Sequence, residues 1–127
     1  GHGLNTFMAN YLNYWVGGER QPRYAHNCFL QMAAETGLLG LTTFLWLLGV
    51  VLWHWWRAIS VLGDRDASRW MLLGLSAGLI GFLIQSTFDT NFYAMRQAVL
   101  FWTLAGLATG LAVSTGPFAV AGKTATP

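Results

Sequence analysis

The chain has 127 residues, of which 54% are hydrophobic and 9% charged, with a formal net charge of +2. Its seven Lys and Arg residues are scattered and form no basic patch, which argues against nucleic acid as a partner. The single cysteine, Cys28, can form neither an intrachain disulfide nor a CxxC-type zinc site. This composition is typical of a membrane protein or of a part of one.

Residues 1–36 combine aromatic side chains with Asn, Gly and charged residues, which suits a loop at a membrane interface. In this segment Arg20 and Arg23 precede His26 by a few residues, and two guanidinium groups near an imidazole suggest an anion site. A juxtamembrane loop whose arginines contact lipid headgroups explains the same spacing equally well. Both interpretations stay open on the sequence alone.

The pattern becomes helical from Asn27, whose side chain can cap a helix N-terminus. An apolar arc lies on one side of this helix, and Asn27, Gln31 and Glu35 form a polar stripe on the other. The pattern predicts a short amphipathic helix at the membrane surface, after which Gly37 and Gly40 redirect the chain.

Three uncharged apolar runs follow, and each approaches the roughly 20 residues that a membrane-spanning helix needs. They predict transmembrane helices at about 37–56, 70–88 and 97–112. Soluble helices buried in a large core are disfavoured, because three such runs in so short a chain would leave little else to cover them. The expected fold is an all-α membrane protein, with three transmembrane helices preceded by an external loop that carries a short interfacial amphipathic helix. The predicted domains are an external loop, a three-helix membrane part and a disordered cytoplasmic tail, at 1–36, 37–113 and 114–127.

Three spans place the segment 1–36 and the loop 89–96 on one side of the membrane, and the loop 57–69 and the tail on the other. Lys and Arg residues number four on the second side and three on the first, so the positive-inside rule favours an external N-terminal segment. The side chains that this places externally include His26, Arg20, Arg23, Asp89 and Arg96.

Two pairs of glycines recur at a spacing of four residues, Gly74 with Gly78 and Gly106 with Gly110. Small residues at this spacing allow helix backbones to approach closely in a membrane. We interpret them as ordinary packing between neighbouring helices.

His26 precedes the predicted short helix and is a candidate general base, because an imidazole can take a proton from a hydroxyl near neutral pH. Glu35 could orient the imidazole, although nine residues of helix would separate the two by about 13 Å. A hydrogen-bonded structural histidine is the alternative.

Three stretches together resemble the O-antigen ligase and O-antigen polymerase superfamily of bacterial membrane glycan transferases. HNCFLQMAAETGLLG resembles its signature, in which His plus Asn, Ser or Gln precedes Gly-x-x-Gly by nine residues. GHGLNTF resembles the Gly-x-Gly-x-x-x-Phe that opens the large external loop, and STFDTNFYAMRQAVLFWTLAGL resembles the penultimate outer turn and the last span. The resemblance extends to about Ala112 and implies that the chain is a C-terminal part, since the earlier helices of the family are missing.

The resemblance implies transfer of glycan from an undecaprenyl-pyrophosphate carrier to an acceptor hydroxyl, at the periplasmic face of the bacterial inner membrane, without metal or cofactor. His26 corresponds to the external histidine that deprotonates or orients the acceptor, and Arg20 and Arg23 are candidates for holding the pyrophosphate. Asn27, Glu35 and Arg96 complete the candidate substrate-binding set, with Arg96 equally well explained as a cap on the last span.

The resemblance does not choose between a ligase, a polymerase and a protein oligosaccharyltransferase, so the acceptor could be lipid A core, another glycan or a protein. The other expected partners are membrane lipids and the missing N-terminal helices of the same protein, and the isolated fragment is expected to be inactive. A hypothesis of a different class is a non-catalytic transmembrane packing or transporter subunit. The spans carry no Asp, Glu, Lys or Arg in their cores, which favours chemistry on a lipid-borne substrate at the surface.

Overall fold

A computed structural model gives the structure of the chain and describes residues 1–4, 6–11, 13, 16–17 and 26–115. Within these residues the regular elements are all helical. They are α1 (Phe7–Tyr11), α2 (Cys28–Val61), α3 (Ala67–Gln85), a 3-10 helix (Asn91–Tyr93) and α4 (Met95–Thr115). The long helices α2, α3 and α4 are each long and apolar enough to cross a membrane, which confirms the predicted fold class.

The helix bounds differ from the predicted spans in ways that have local causes. The second predicted span includes Phe88, but α3 ends at Gln85 because the chain turns there, with Thr87 and Phe88 donating to carbonyls three residues back. At the other end of the chain α4 continues through Thr115. The rest of the predicted tail, residues 116–127, lies outside the described residues.

Helix α2 is interrupted at Gly37, whose φ of 78° and ψ of 176° are not helical. This backbone conformation is essentially restricted to glycine. The interruption separates a helical stretch at 28–36 from the long apolar stretch at 38–61, as the sequence predicted from Gly37. Gly40, the second glycine expected to redirect the chain, instead lies within the helical part and packs against the side chain of Thr36.

The chain divides into two compact units. The first unit comprises Gly1–Trp46 with Leu83–Ala98, and the second unit comprises Leu47–Phe82 with Val99–Pro127. Each long helix contributes residues to both units.

Alanines and aromatic residues, and not the predicted glycine pairs, make the close contacts of the second unit. Ala105, Ala108 and Ala112 are buried on one face of α4, and the rings of Phe82 and Phe101 lie 5.0 Å apart. All four glycines of the predicted pairs are exposed, and a Cβ added at any of them would meet nothing within 4 Å. The interpretation of these pairs as packing between neighbouring helices is therefore wrong within the described part of the chain.

The turn between α2 and α3 is closed by Arg69. Its Nη1 donates to the carbonyls of Ile59 and Leu62 at 3.3 and 2.8 Å, and its Nη2 lies 3.4 Å from a carboxylate oxygen of Asp64. Carbonyls at the end of a helix lack intrahelical partners, and a cation there also meets the negative end of the helix dipole. Arg69 thus caps α2 from the first turns of α3.

Candidate functional site

The N-terminal segment completes the hydrogen bonding of the interrupted helix. Because the backbone leaves the helical conformation at Gly37, the carbonyls of the preceding turn need partners from elsewhere. The backbone N–H of His2 donates to the carbonyl of Ala34 at 3.0 Å, and that of Gly3 donates to the carbonyl of Glu35 at 2.9 Å. The first residues of the chain therefore cap the stretch 28–36.

Gly1 and Gly37 are in backbone contact, which explains why neither position has a side chain. A Cβ at Gly1 would collide with the backbone carbonyl of Glu35 and with the amide nitrogen of Gly37. A Cβ at Gly37 would lie 3.0 Å from the nitrogen of Gly1, and any L side chain would also be strained at that φ. The two glycine motifs of the sequence thus meet in one place.

The carboxylate of Glu35 receives hydrogen bonds from three separate segments. Its Oε1 accepts from the backbone N–H of Phe7 at 3.4 Å and from Nε2 of Gln31 at 3.3 Å, and its Oε2 accepts from the hydroxyl of Tyr93 at 3.1 Å. Glu35 is 2% exposed and Gln31 is 3% exposed. The polar stripe predicted on this helix is present, and its Gln31 and Glu35 side chains point into the protein.

Tyr93 lies in the 3-10 helix that precedes α4. Burial, followed by the hydrogen bond to Glu35 and the charge of that carboxylate, raises the pKa of the Tyr93 phenol above its ordinary value of 10.0. The phenol is therefore protonated at physiological pH and can act as the donor in this pair.

The turn between α3 and the 3-10 helix is rich in buried polar groups. Ser86, Thr90 and Asn91 are buried, and Nδ2 of Asn91 lies 3.4 Å from the hydroxyl of Ser86. The carbonyl of Ser86 accepts a hydrogen bond of 2.9 Å from the backbone N–H of Cys28, the first residue of α2. The backbone N–H of Thr90 is bonded to Oδ1 of Asp89 at 2.7 Å. This turn is thereby joined directly to the start of α2.

His26 and Asn27 lie immediately before α2. Oδ1 of Asn27 accepts from the backbone N–H of Leu30 at 2.9 Å, so the predicted helix cap is confirmed. His26 is exposed and has a φ of 48°, the only positive φ at a non-glycine residue in the described part of the chain. Such strained backbone is often found at functional sites and needs support from the surrounding structure.

Of the three arginines predicted to bind phosphate, the structure describes one, Arg96. Arg96 is exposed at the second position of α4. Arg20 and Arg23 lie outside the described residues, so their proximity to His26 stays a prediction. Among the residues that the structure does describe, no group of three or more His, Cys, Asp or Glu side chains could hold a metal ion.

Sequence reasoning missed Tyr93 and the backbone role of His2 and Gly3. Tyr93 is 58 residues from Glu35, and no local periodicity connects two positions so far apart. The glycines in the first stretch and at position 37 were the one available signal for the contact of His2 and Gly3 with the end of the stretch 28–36.

Comparisons of the chain with protein-family models, with curated proteins and with solved structures found no match. The functional assignment accordingly depends on the motifs and on the geometry of the site.

Proposed function

We propose that the chain is the C-terminal part of an O-antigen ligase-like or O-antigen polymerase-like glycosyltransferase of the bacterial inner membrane. In this proposal the complete protein transfers glycan from undecaprenyl pyrophosphate to an acceptor hydroxyl at the periplasmic face, in the synthesis of lipopolysaccharide or of another surface polysaccharide. Three helices able to span a membrane are compatible with a multi-pass protein that acts on a lipid-borne donor.

The observation that carries the proposal is the convergence of the three motif stretches on one residue. Glu35, in the His-Asn to Gly-x-x-Gly stretch, is bonded to Gly3 and Phe7 from the first stretch and to Tyr93 from the third. Each of these stretches resembles the family independently of the other two. If the three resemblances were accidental, there would be no reason to expect hydrogen bonds between the stretches.

His26 is the proposed general base, and its exposure at the start of α2 leaves its ring accessible to an acceptor. Displacement at an anomeric carbon requires a base on the acceptor side and positive charge where the leaving diphosphate gains negative charge. Arg20, Arg23 and Arg96 are the proposed sources of that charge, together with arginines of the earlier helices. Asn27, whose Oδ1 caps the helix, is proposed to contribute to substrate binding through its amide nitrogen.

The test is transfer of labelled glycan from undecaprenyl pyrophosphate in membranes that contain the full-length parent protein. We expect His26→Ala to lose transfer by about 100-fold or more, the usual contribution of a general base, while donor binding is retained. His54→Ala is the matched control, because His54 is also an exposed histidine but lies on α2 in the second unit, away from the start of that helix. Equal transfer by the two variants at matched folded amounts would favour the non-catalytic packing or transporter subunit.

A further inference from the structure

The helical stretch 28–36 is attached to the segment 86–93 near both of its ends. At its start, the backbone N–H of Cys28 donates to the carbonyl of Ser86 at 2.9 Å. At its end, the hydroxyl of Tyr93 donates to Oε2 of Glu35 at 3.1 Å. A short helix is stiff, so two attachments fix its direction, whereas a single attachment would allow it to pivot.

The Glu35–Tyr93 hydrogen bond is too enclosed to act on a substrate directly. Glu35 is 2% exposed, and its carboxylate already accepts from Phe7, Gln31 and Tyr93. A buried carboxylate requires such donors, and removing one of them is costly because the remaining groups lose their partners. The pair is thus built to hold segments together.

We propose that Glu35 and Tyr93 are positioning residues of the transfer reaction. Their hydrogen bond holds the stretch 28–36, and with it His26 just before its start, in the direction that the acceptor hydroxyl requires. The inference rests on the proposed function, and it gives Glu35 a role different from the substrate contact predicted from the sequence.

His26 is joined to the start of the stretch 28–36 through Asn27, whose Oδ1 accepts from the backbone N–H of Leu30. The direction of that stretch therefore bears directly on the position of His26. A displacement of about 1 Å in a reacting group can reduce a rate by roughly 100-fold. A small tilt of the stretch 28–36 is therefore sufficient to impair a base at its end.

The experiment compares Tyr93→Phe with Tyr11→Phe in membranes that contain the full-length parent protein. Tyr93→Phe removes only the hydroxyl that bonds Glu35. Tyr11→Phe makes the same change on α1, where the ring of Tyr11 stacks on Phe7 at 5.7 Å. We expect Tyr93→Phe to lower the maximal transfer rate per folded molecule by about 10- to 100-fold with an unchanged KM for the donor. Tyr11→Phe is expected to transfer like the wild type.

A double-mutant cycle tests whether the two residues act as a pair. We expect Glu35→Gln to lower the maximal rate by at least as large a factor as Tyr93→Phe, because a glutamine has one acceptor oxygen for the three donors that the carboxylate binds. The double variant should lose no more than the worse single variant, since the same bond is broken in each. Additive losses, or equal rates for Tyr93→Phe and Tyr11→Phe, would overturn the proposal.

Hydrogen exchange at the Cys28 amide gives a readout that does not depend on transfer. If the two attachments act together, Tyr93→Phe frees one end of the stretch and accelerates exchange at the other, whereas Tyr11→Phe does not. Unchanged exchange at Cys28 in Tyr93→Phe would refute the two-point attachment. If the wild-type protein fails to transfer glycan while Tyr93→Phe still accelerates exchange at Cys28, the proposed function is rejected and the two-point attachment is supported.

Discussion

The two compact units bury opposite kinds of side chain. Among the described residues, every buried polar or charged residue belongs to the first unit, namely Gln31, Glu35, Ser86, Thr90 and Asn91. Every buried hydrophobic residue except Cys28 belongs to the second unit. The first unit is specified by hydrogen bonds between distant segments, and the second by packing of apolar side chains.

This difference determines how strictly the arrangement of segments is fixed in each unit. A polar group buried without a partner costs far more than its hydrogen bond contributes, so the first unit admits few arrangements of its segments. Apolar packing in a membrane favours one helix arrangement over another less strongly, because a helix that contacts another helix gives up contacts with lipid chains that are equally apolar. The candidate site residues His26, Asn27 and Glu35 lie in the first unit, whose geometry is more strictly determined.

The largest loss of stability is expected from a substitution at Gly37. Gly37→Ala should lower the free energy of unfolding by about 1–3 kcal/mol, because the backbone there is essentially accessible only to glycine. Gly49→Ala is the matched control on the same helix, since Gly49 lies in the second unit and an added Cβ meets nothing within 4 Å. Thermal unfolding in detergent measures both, and equal stability of the two variants would contradict the difference between the units.

A smaller loss is expected where the second unit does contain a hydrogen bond between helices. Nε1 of Trp55 donates to Oγ1 of Thr109 at 3.1 Å. Thr109→Val should cost about 0.5–2 kcal/mol, the range measured for polar contacts between membrane helices. Thr43→Val is the control, because its hydroxyl also donates to the carbonyl four residues back but is exposed. Equal losses in the two variants would show that the Trp55 contact contributes nothing.

Alkaline pH offers a selective way to weaken the first unit. The pKa of Tyr93 is raised above 10.0 in the folded protein, so the folded state holds this proton over a pH range in which the unfolded state has released it. This contribution to stability is complete below pH 10 and decreases as pH rises above it. Unfolding temperatures measured from neutral to alkaline pH should show a smaller decline for Tyr93→Phe than for the wild type. Identical pH profiles would show that the phenol is not held protonated.

The smallest effect is expected at the exposed glycines of the second unit. Gly74→Ala and Gly110→Ala should leave stability unchanged or raise it by up to about 1 kcal/mol, because alanine favours the helix and its Cβ meets nothing within 4 Å. Detergent unfolding of the single variants measures this. A clear loss of stability would mean that these glycines are packed closely after all.

The parts of the fold governed by local pattern could be predicted from the sequence. The uncharged runs predicted all three long helices, and Gly37 predicted the interruption before the first. The Asn27 cap was likewise readable from its place before an apolar arc. The end of α3 was placed at 88 instead of 85 because Phe88 is apolar and composition does not distinguish a turn from a span.

The candidate site was only partly predictable, because its contacts join positions far apart in the chain. His26, Asn27 and Glu35 could be selected as one motif, but a polar stripe on a helix does not say whether it meets water or protein. That Glu35 meets Tyr93 depends on the turn 86–94 folding back against α2, which leaves no periodic trace. The short helix α1 was also missed, since its five residues are too few for a recognisable pattern.

The contact of the N-terminal segment with α2 has a consequence for substitutions at position 2. His2 and Gly3 reach Ala34 and Glu35 through their backbone amides, so this contact requires an N–H at position 2 and no particular side chain. Every amino acid except proline provides that N–H. A substitution at position 2 can therefore preserve the contact, whereas Gly1 and Gly37, which meet beside it, have no such freedom.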